Sequence, residues 1–415
     1  MEKNALINDF IHTLFMKEKY YFNICLLLLT FMGCNNVGTT TNSTRDDAIV
    51  YRINIQDALS ANAVIHLSEI ADSIRYVELK TPYSMPIGVV FNIQISNEFI
   101  FIEHKGGVYQ FSQKGDFLRQ IGRKGQGPGE YGHGCDNFFI DDSKSHVNII
   151  SNPRLYTYSF DGKFVKQRRI GFLSDMILQD SFIYASITPF GLERYRMVVL
   201  NAELDTLGGI PNDNIFDTGG LTTSVYIPFR QPFYKYKNEV YFKGYQQNDT
   251  IWRINGIEYE THAIIDMGKY KPPECKNVND MHSFFNRFVK KEGDYYLVLS
   301  VMEDSCYMYV SLEPCWNPEM GSPRLLFDKH KKTGFSPKSA SGTYGITDDI
   351  LGGPAFWPQI ISGKYYVSVT DAYKMIESSK SLSASSPQFQ EFIHGINEDS
   401  NPIVTIVTLK GEIER

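Results

Sequence analysis

The chain has 415 residues, 42% hydrophobic, 14% aromatic and 21% charged, with a formal net charge of −6. That apolar and aromatic content excludes a disordered chain, and the negative balance argues against a general nucleic-acid binder, which would carry a basic face. With 28 Phe, 26 Tyr and 32 Gly and few long helical patterns, the composition points to an all-β chain rich in turns.

The first element in the chain is a leader. Residues 24–33 form an apolar run, much shorter than the roughly 20 residues a spanning helix needs. Lys17 and Lys19 flank it on the N-terminal side, the arrangement of a signal-peptide core. Gly33-Cys34 at its end resembles a bacterial lipobox, with Phe31 where leucine is usual. The resemblance implies cleavage after residue 33 and lipidation of Cys34; an ordinary signal peptide is the alternative. Met16 opens a conventional short basic leader while residues 1–15 fit no targeting pattern, so Met16 is the expected start. Residues 34–50, rich in Asn, Thr and Ser, read as a flexible tether. Several acyl chains anchor far more firmly than one. Asn35 replaces the acidic residue that retains some lipoproteins in the inner membrane. The expected location is therefore the cell envelope, anchored in the outer membrane and facing the periplasm or the surface.

From residue 51 to 415 a weak unit recurs. Residues 107–118 align with 154–165, each a strand, a glycine turn and a second strand, which is a hairpin signature. The spacing, Tyr109 to Tyr156, matches one four-stranded propeller blade. Weaker copies fall at 197–207, 249–256, 307–310 and 402–410, making six. Strand patterns at 98–102, 147–150, 181–184, 239–242 and 295–299 precede several of them. A single blade cannot bury both faces, so the units are expected to stack radially as a six-bladed β-propeller. The isolated strand at 73–79 would close the ring by pairing with 403–409. The helical spacing at 371–377 and 389–393 predicts a short helical insertion near the C-terminus, on one rim of the ring.

Removal of Cys25 and lipidation of Cys34 leave Cys135, Cys275, Cys306 and Cys315. In an oxidising compartment Cys306 and Cys315 are candidates for a disulfide, because residues 307–314 between them read as a hairpin. Four free thiols are the alternative. No Cys/His spacing suggests a zinc site.

The segment 121–131, containing Gly125-Gln126-Gly127-Pro128-Gly129-Glu130-Tyr131 directly after a hairpin, resembles the signature loop of the six-bladed β-propeller lipoproteins, NHL-like proteins of anaerobic Gram-negative gut bacteria. Asn248-Asp249-Thr250-Ile251-Trp252, Asp349-Ile350-Leu351-Gly352-Gly353 and Asn401-Pro402 extend the likeness over roughly 74–409. The resemblance implies the fold and an envelope location and transfers no catalytic residues.

The glycine-rich loop is not a GxGxxG opening a helix and has no Walker lysine, so it does not read as a phosphate cradle. Arg123, Glu130, Tyr131 and His133 on it are candidates to project toward the channel mouth. Trp316 and Trp357 lie in loop-like, proline-flanked sequence and are candidates to stack on sugar rings. Glu103, His104, Asn152 and Asp249 are the residues that could supply one metal ligand per blade. No GxSxG or triad grouping is present. Two functions follow as expectations. The first is an envelope-anchored binding or scaffold module for a protein, peptide or glycan partner, monomeric, with no nucleic acid and no cofactor. The alternative is a metal-dependent hydrolase or lyase, lactonase-like, holding calcium or zinc in its central channel.

Overall fold

The computed structural model describes residues 50–410 apart from 83–84, 188–191, 216–230, 245–248, 275, 278, 281–282, 284–285, 288–289, 291, 340–341, 381 and 383–384. The leader, Cys34 and the tether as far as residue 49 lie outside the described residues.

Three strands come before the first complete blade: β1 (Tyr51–Asn54), β2 (Asn62–Ala63) and β3 (Ala71–Glu78). Blade 1 is β4 (Asn92–Ile95), β5 (Phe99–His104), β6 (Gly107–Ser112) and β7 (Phe117–Ile121). Blade 2 is β8 (Asn137–Asp141), β9 (His146–Ser151), β10 (Arg154–Ser159) and β11 (Phe164–Arg169). Blade 3 is β12 (Asp175–Gln179), β13 (Phe182–Ser186), β14 (Tyr195–Leu200) and β15 (Thr206–Pro211). Blade 4 is β16 (Phe233–Tyr236), β17 (Glu239–Lys243), β18 (Thr250–Asn255) and β19 (Glu258–Asp266). Blade 5 is β20 (Tyr296–Glu303), β21 (Tyr307–Pro314), β22 (Arg324–Asp328) and β23 (Thr333–Pro337). Blade 6 is β24 (Ile360–Ser362), β25 (Tyr365–Thr370) and β26 (Ile403–Leu409), completed by β3. The expected closure is present: β3 runs antiparallel to β26, from Ile403↔Glu78 to Leu409↔Ala71.

The middle strands read as unbroken apolar runs because neither face meets solvent. In β5, Phe101 packs toward blade 2, while Ile100 and Ile102 pack toward blade 6. Alternation along a strand thus becomes alternation between two neighbours. Six apolar clusters result, one between each pair of adjacent blades, including 6 with 1. Burying each such side chain contributes about 1.5–3 kcal/mol, so the ring is held by its closure as much as by any single blade. Where the chain turns tightly, Gly115 at φ 86° lies against the Glu78 carbonyl, and a Cβ there would stand 2.0 Å from that oxygen.

The N-terminal segment does more than close the ring. β1 adds parallel to β19, pairing Tyr51↔Ala263 through Asn54↔Asp266. The helix Ile55–Ser60, capped by Asn54 accepting from the Asp57 N–H at 3.0 Å, buries Ile55 and Ala58. β2 then adds parallel to β23. One strap therefore covers the outer edges of blades 4 and 5 before forming the outer strand of blade 6. Edge strands left bare invite pairing with other chains.

The same three blades share a buried polar staple at the end of β20. Glu303, fully buried, accepts from Lys329 Nζ at 2.6 Å, from His262 Nε2 at 2.9 Å and from the Tyr234 hydroxyl at 3.0 Å. Burial alone would raise its carboxyl, but His262 and Lys329 outweigh that and hold it below the usual carboxylate range. The adjacent Asp304 accepts from the hydroxyls of Tyr309 (2.6 Å) and Tyr366 (2.8 Å), and burial together with Asp304 raises both phenols well above their ordinary value.

Two expectations require correction. Residues 307–310 are not the third-strand copy of their blade but belong to β21, the second strand; the third is β22. The inner pair of blade 5 is eight residues long on each side and so copies the pattern of the hairpin further out. It follows that 307–314 is one strand rather than a hairpin. Cys306 and Cys315 flank its two ends, about 30 Å apart at roughly 3.3 Å per residue. They do not pair, and both are free thiols. The helical insertion is present as Ala372–Ser379 and Pro387–His394. It packs on blade 6 through Tyr76, whose ring lies 5.1 Å from Phe389 and 5.6 Å from Phe392.

Candidate functional site

The innermost strands β4, β8, β12, β16, β20 and β24 line a central channel with a cavity of about 510 Å³. Because each lines a lumen on one edge, these strands carry polar residues that the middle strands exclude. At one end the first residues of three of them form a hydrogen-bonded row. Asn92 Nδ2 donates to Asn137 Oδ1 at 2.7 Å and to the Phe138 carbonyl at 3.0 Å. Asn137 Nδ2 donates in turn to Asp175 Oδ1 at 2.9 Å. The Met176 N–H donates to that same oxygen at 2.8 Å, leaving Asp175 Oδ2 without a hydrogen bond among the described residues. Burial pushes the Asp175 carboxyl up to about 7, with the Met176 N–H opposing it.

The other end of the channel carries charges of both signs. Lys235, Lys237 and Asn238 of blade 4 line it with Asp142 of blade 2. Desolvation by the channel wall lowers the Lys235 ammonium below its ordinary value, and Asp180 and Asp141 oppose that shift. The lumen thus offers amide and carboxylate groups at one end and ammonium groups beside the Asp142 carboxylate at the other. Such a lining can orient a polar ligand carrying both donors and acceptors.

A second cavity of about 380 Å³ opens beside the Asn92 end, between blades 5 and 6 and the entry to blade 1. Trp357, Phe91, Arg324 and Glu313 are on its walls. The two cavities share Asn92, Gln231 and Ile360.

Residues 50–408 match the family described as a domain of unknown function, DUF4934. The chain belongs to the DUF4934 family. No curated protein matches it in sequence. The crystal structure of a protein described as exported, from Bacteroides fragilis, is similar to this DUF4934 chain at 20% identity and a TM-score of 0.65; the match covers 88% of this chain and 100% of that one. The extracellular domain of a one-component system from B. thetaiotaomicron matches at 11% identity and a TM-score of 0.36, over 66% of this chain and 32% of that one. The Neurospora crassa Pan2 WD40 domain matches at 9% and 0.39, over 85% and 99%. At these identities the B. fragilis likeness shows the fold alone, and the weaker two carry no argument.

In this DUF4934 protein the glycine-rich loop joins β7 to β8 and is tied to itself. Arg123 Nε donates to Glu130 Oε1 at 2.5 Å, and the Gly127 N–H donates to Glu130 Oε2 at 2.8 Å. Those bonds hold the Glu130 carboxyl below its ordinary range, the Gly127 N–H most strongly and Arg123 next. Tyr131 is fully buried between Tyr156 and Tyr158, so it is a core residue and cannot meet a ligand. His133 faces Asp136 at 3.2 Å. None of the four lines either cavity. A turn built from glycines bent its polar residues back on the loop, a result that spacing alone does not reveal.

The two tryptophans part company. Trp316 is buried edge-on to Tyr295 at 5.3 Å, whereas Trp357 is partly exposed on the second cavity. The residues considered as ligands from separate blades do not converge. Glu103 accepts from the Gly106 N–H, His104 Nδ1 meets the Val89 carbonyl, Asn152 bonds Asp136, and Asp249 pairs with Lys271. Each is engaged by a different partner, and no group of three or more His, Cys, Asp or Glu among the described residues is arranged for a metal. The Asn92–Asn137–Asp175 row was missed because short, half-polar inner strands give no periodic signal. The one available hint was the spacing: Asn92, Asn137 and Asp175 recur at blade-like intervals.

Proposed function

We propose that this protein is an envelope-anchored binding or scaffold module. In this reading lipid on Cys34 holds it at the outer membrane, as in the NHL-like lipoproteins it resembles, and the ring presents its channel to a protein, peptide or glycan partner. The observation that carries the proposal is the Asn92–Asn137–Asp175 row, which holds an unengaged carboxylate oxygen at the channel wall. The fold shared with an exported protein of B. fragilis is in keeping with a leader and an extracytoplasmic site. No helix among the described residues is long and apolar enough to cross a membrane, which suits attachment by lipid. The test is capture of a specific partner from envelope extract by the full chain, repeated with Asp175→Ala and Lys235→Ala. Retention that is lost in either channel variant supports the module; identical retention by all three chains overturns the channel as its site. Monomeric mass in light scattering is the accompanying expectation.

The same row favours one second reading. Three oxygen-bearing side chains from three blades face one end of the channel, the kind of donor set that hard cations take. A lactonase-like hydrolase or lyase would use it for calcium or, less in keeping with oxygen donors, zinc. Asn137 Oδ1 accepts from Asn92 Nδ2 and the Phe138 N–H, and Asp175 Oδ1 from Asn137 Nδ2 and the Met176 N–H, which leaves Asn92 Oδ1 and Asp175 Oδ2 as the available oxygens. Stoichiometric metal in the purified protein, lost in Asp175→Asn, would establish this reading; an unchanged melting temperature across a calcium and zinc titration would end it.

A further inference from the structure

We propose that the cleft between blades 5 and 6 is a site for a neutral saccharide. This rests on the binding-module reading and narrows it to one cleft and one ligand class. Trp357 is fixed there by two contacts. Its Nε1 donates to Ser311 Oγ at 2.9 Å, and its ring meets Tyr309 edge-on at 5.6 Å. Phe91 lines the same cleft and is 53% exposed, on the loop that enters β4. A register shift between Val298 and Ser300 makes Leu299 the extra residue of β20, and Leu299 is on the cleft wall. Bulges of this kind re-aim a side chain at functional surfaces.

The polar groups are of both signs. The Arg324 guanidinium has one hydrogen bond among the described residues, Nη1 to the Leu312 carbonyl at 3.5 Å, so most of its five donors remain available. Glu313, exposed on the neighbouring strand, accepts only. A pyranose has an apolar C–H face and hydroxyls that both donate and accept. The aromatic rings suit the first, Arg324 and Glu313 the second. Anionic ligands are opposed by Glu313 and cationic ones by Arg324, so a neutral sugar fits best. The volume of about 380 Å³ falls inside the range of small-molecule pockets, about 300–1,000 Å³.

The experiment is titration of the full chain with maltohexaose, cellohexaose, xylohexaose and mannohexaose, followed by tryptophan emission and calorimetry. The chain has three tryptophans, and Trp357 is the one on the cleft. At least one oligosaccharide is expected to bind saturably with an emission change that disappears in Trp357→Phe. Affinity should fall about tenfold in Phe91→Ala and in Glu313→Gln, the loss of roughly one aromatic or charged contact. Both positions are exposed, so an unchanged thermal midpoint separates lost binding from lost folding. No saturable binding by any of the four overturns the saccharide assignment. Binding that Phe91→Ala and Glu313→Gln leave unchanged overturns the cleft. If a partner protein is captured through the channel while no sugar binds, the cleft proposal fails and the module stands; if neither occurs, both fail.

Discussion

Blades 4–6 and blades 1–3 share one architecture but are stabilised differently. Blades 4 and 5 have their outer edges covered by β1 and β2, and blade 6 takes its outer strand from β3. Glu303 and Asp304 bind these three blades together from within. Blades 1–3 end in their own fourth strands, and β11 exposes nearly its whole length. Yet the channel row Asn92–Asn137–Asp175 belongs entirely to that less protected half. The comparison suggests a division of labour: one half holds the ring shut, and the other keeps unsatisfied polarity turned toward the lumen.

The largest effect should come from breaking the staple. Glu303→Ala leaves Lys329, His262 and Tyr234 without their shared acceptor in a buried site, a loss of about 3–5 kcal/mol, measured by urea unfolding. Since the Glu303 carboxyl is held below its unfolded value, its contribution is full above the unfolded carboxylate pKa and is lost as pH falls through the folded one. Wild type should therefore lose stability on acidification more steeply than Glu303→Gln. Equal acid profiles would remove the electrostatic half of the contrast.

In the less protected half, Gly122 has φ 58°, and a Cβ there would stand 2.6 Å from the Tyr158 ring and 2.9 Å from Tyr131. Gly122→Ala should cost about 2–3 kcal/mol by strain and overpacking, read as a lowered melting temperature. A neutral result would show that the loop is free to shift.

Asp175→Asn should act in the opposite direction. The folded carboxyl titrates near 7, above the unfolded value of about 3.9. Between those two values the native state binds more protons than the unfolded state, so stability falls as pH rises through that window and stays reduced above it. The amide removes that loss and should stabilise the protein at pH 8 by on the order of 1–2 kcal/mol, with almost no change at pH 4. Denaturant titrations at the two pH values decide it. A gain at neutral pH together with lost partner capture would mark Asp175 as kept for function at the expense of stability. The smallest effect is expected from Phe91→Ala, within about 0.5 kcal/mol of wild type; a larger drop would mean that the ring is structural.

The ring itself was legible in the sequence because outer hairpins repeat with glycine turns and aromatic strands, and those signals are local. The closing strand at 73–79 was legible too, since an apolar strand with no neighbour in sequence must find one elsewhere. Most of the inner strands were not: β4, β8, β12 and β16 have four or five residues of mixed polarity, which carry no period. The strap was also hidden, because β1 and β2 pair in parallel with strands some 200 to 270 positions away by residue number.

For the site the same line can be drawn residue by residue. Trp357 lies in loop-like sequence and lines a cleft, while Trp316, in the same kind of sequence, is buried. Glycine spacing marked the 121–131 loop but could not show that Glu130 would turn back onto Gly127 and Arg123. The sequence by itself determined the repeating unit, its number and its closure, because burying both faces of a blade leaves a local imprint on every strand. The tertiary structure decided which polar atoms meet. Asn92, Asn137 and Asp175 come together only when three blades are set side by side around a common axis, and that meeting leaves no trace in the order of residues along the chain.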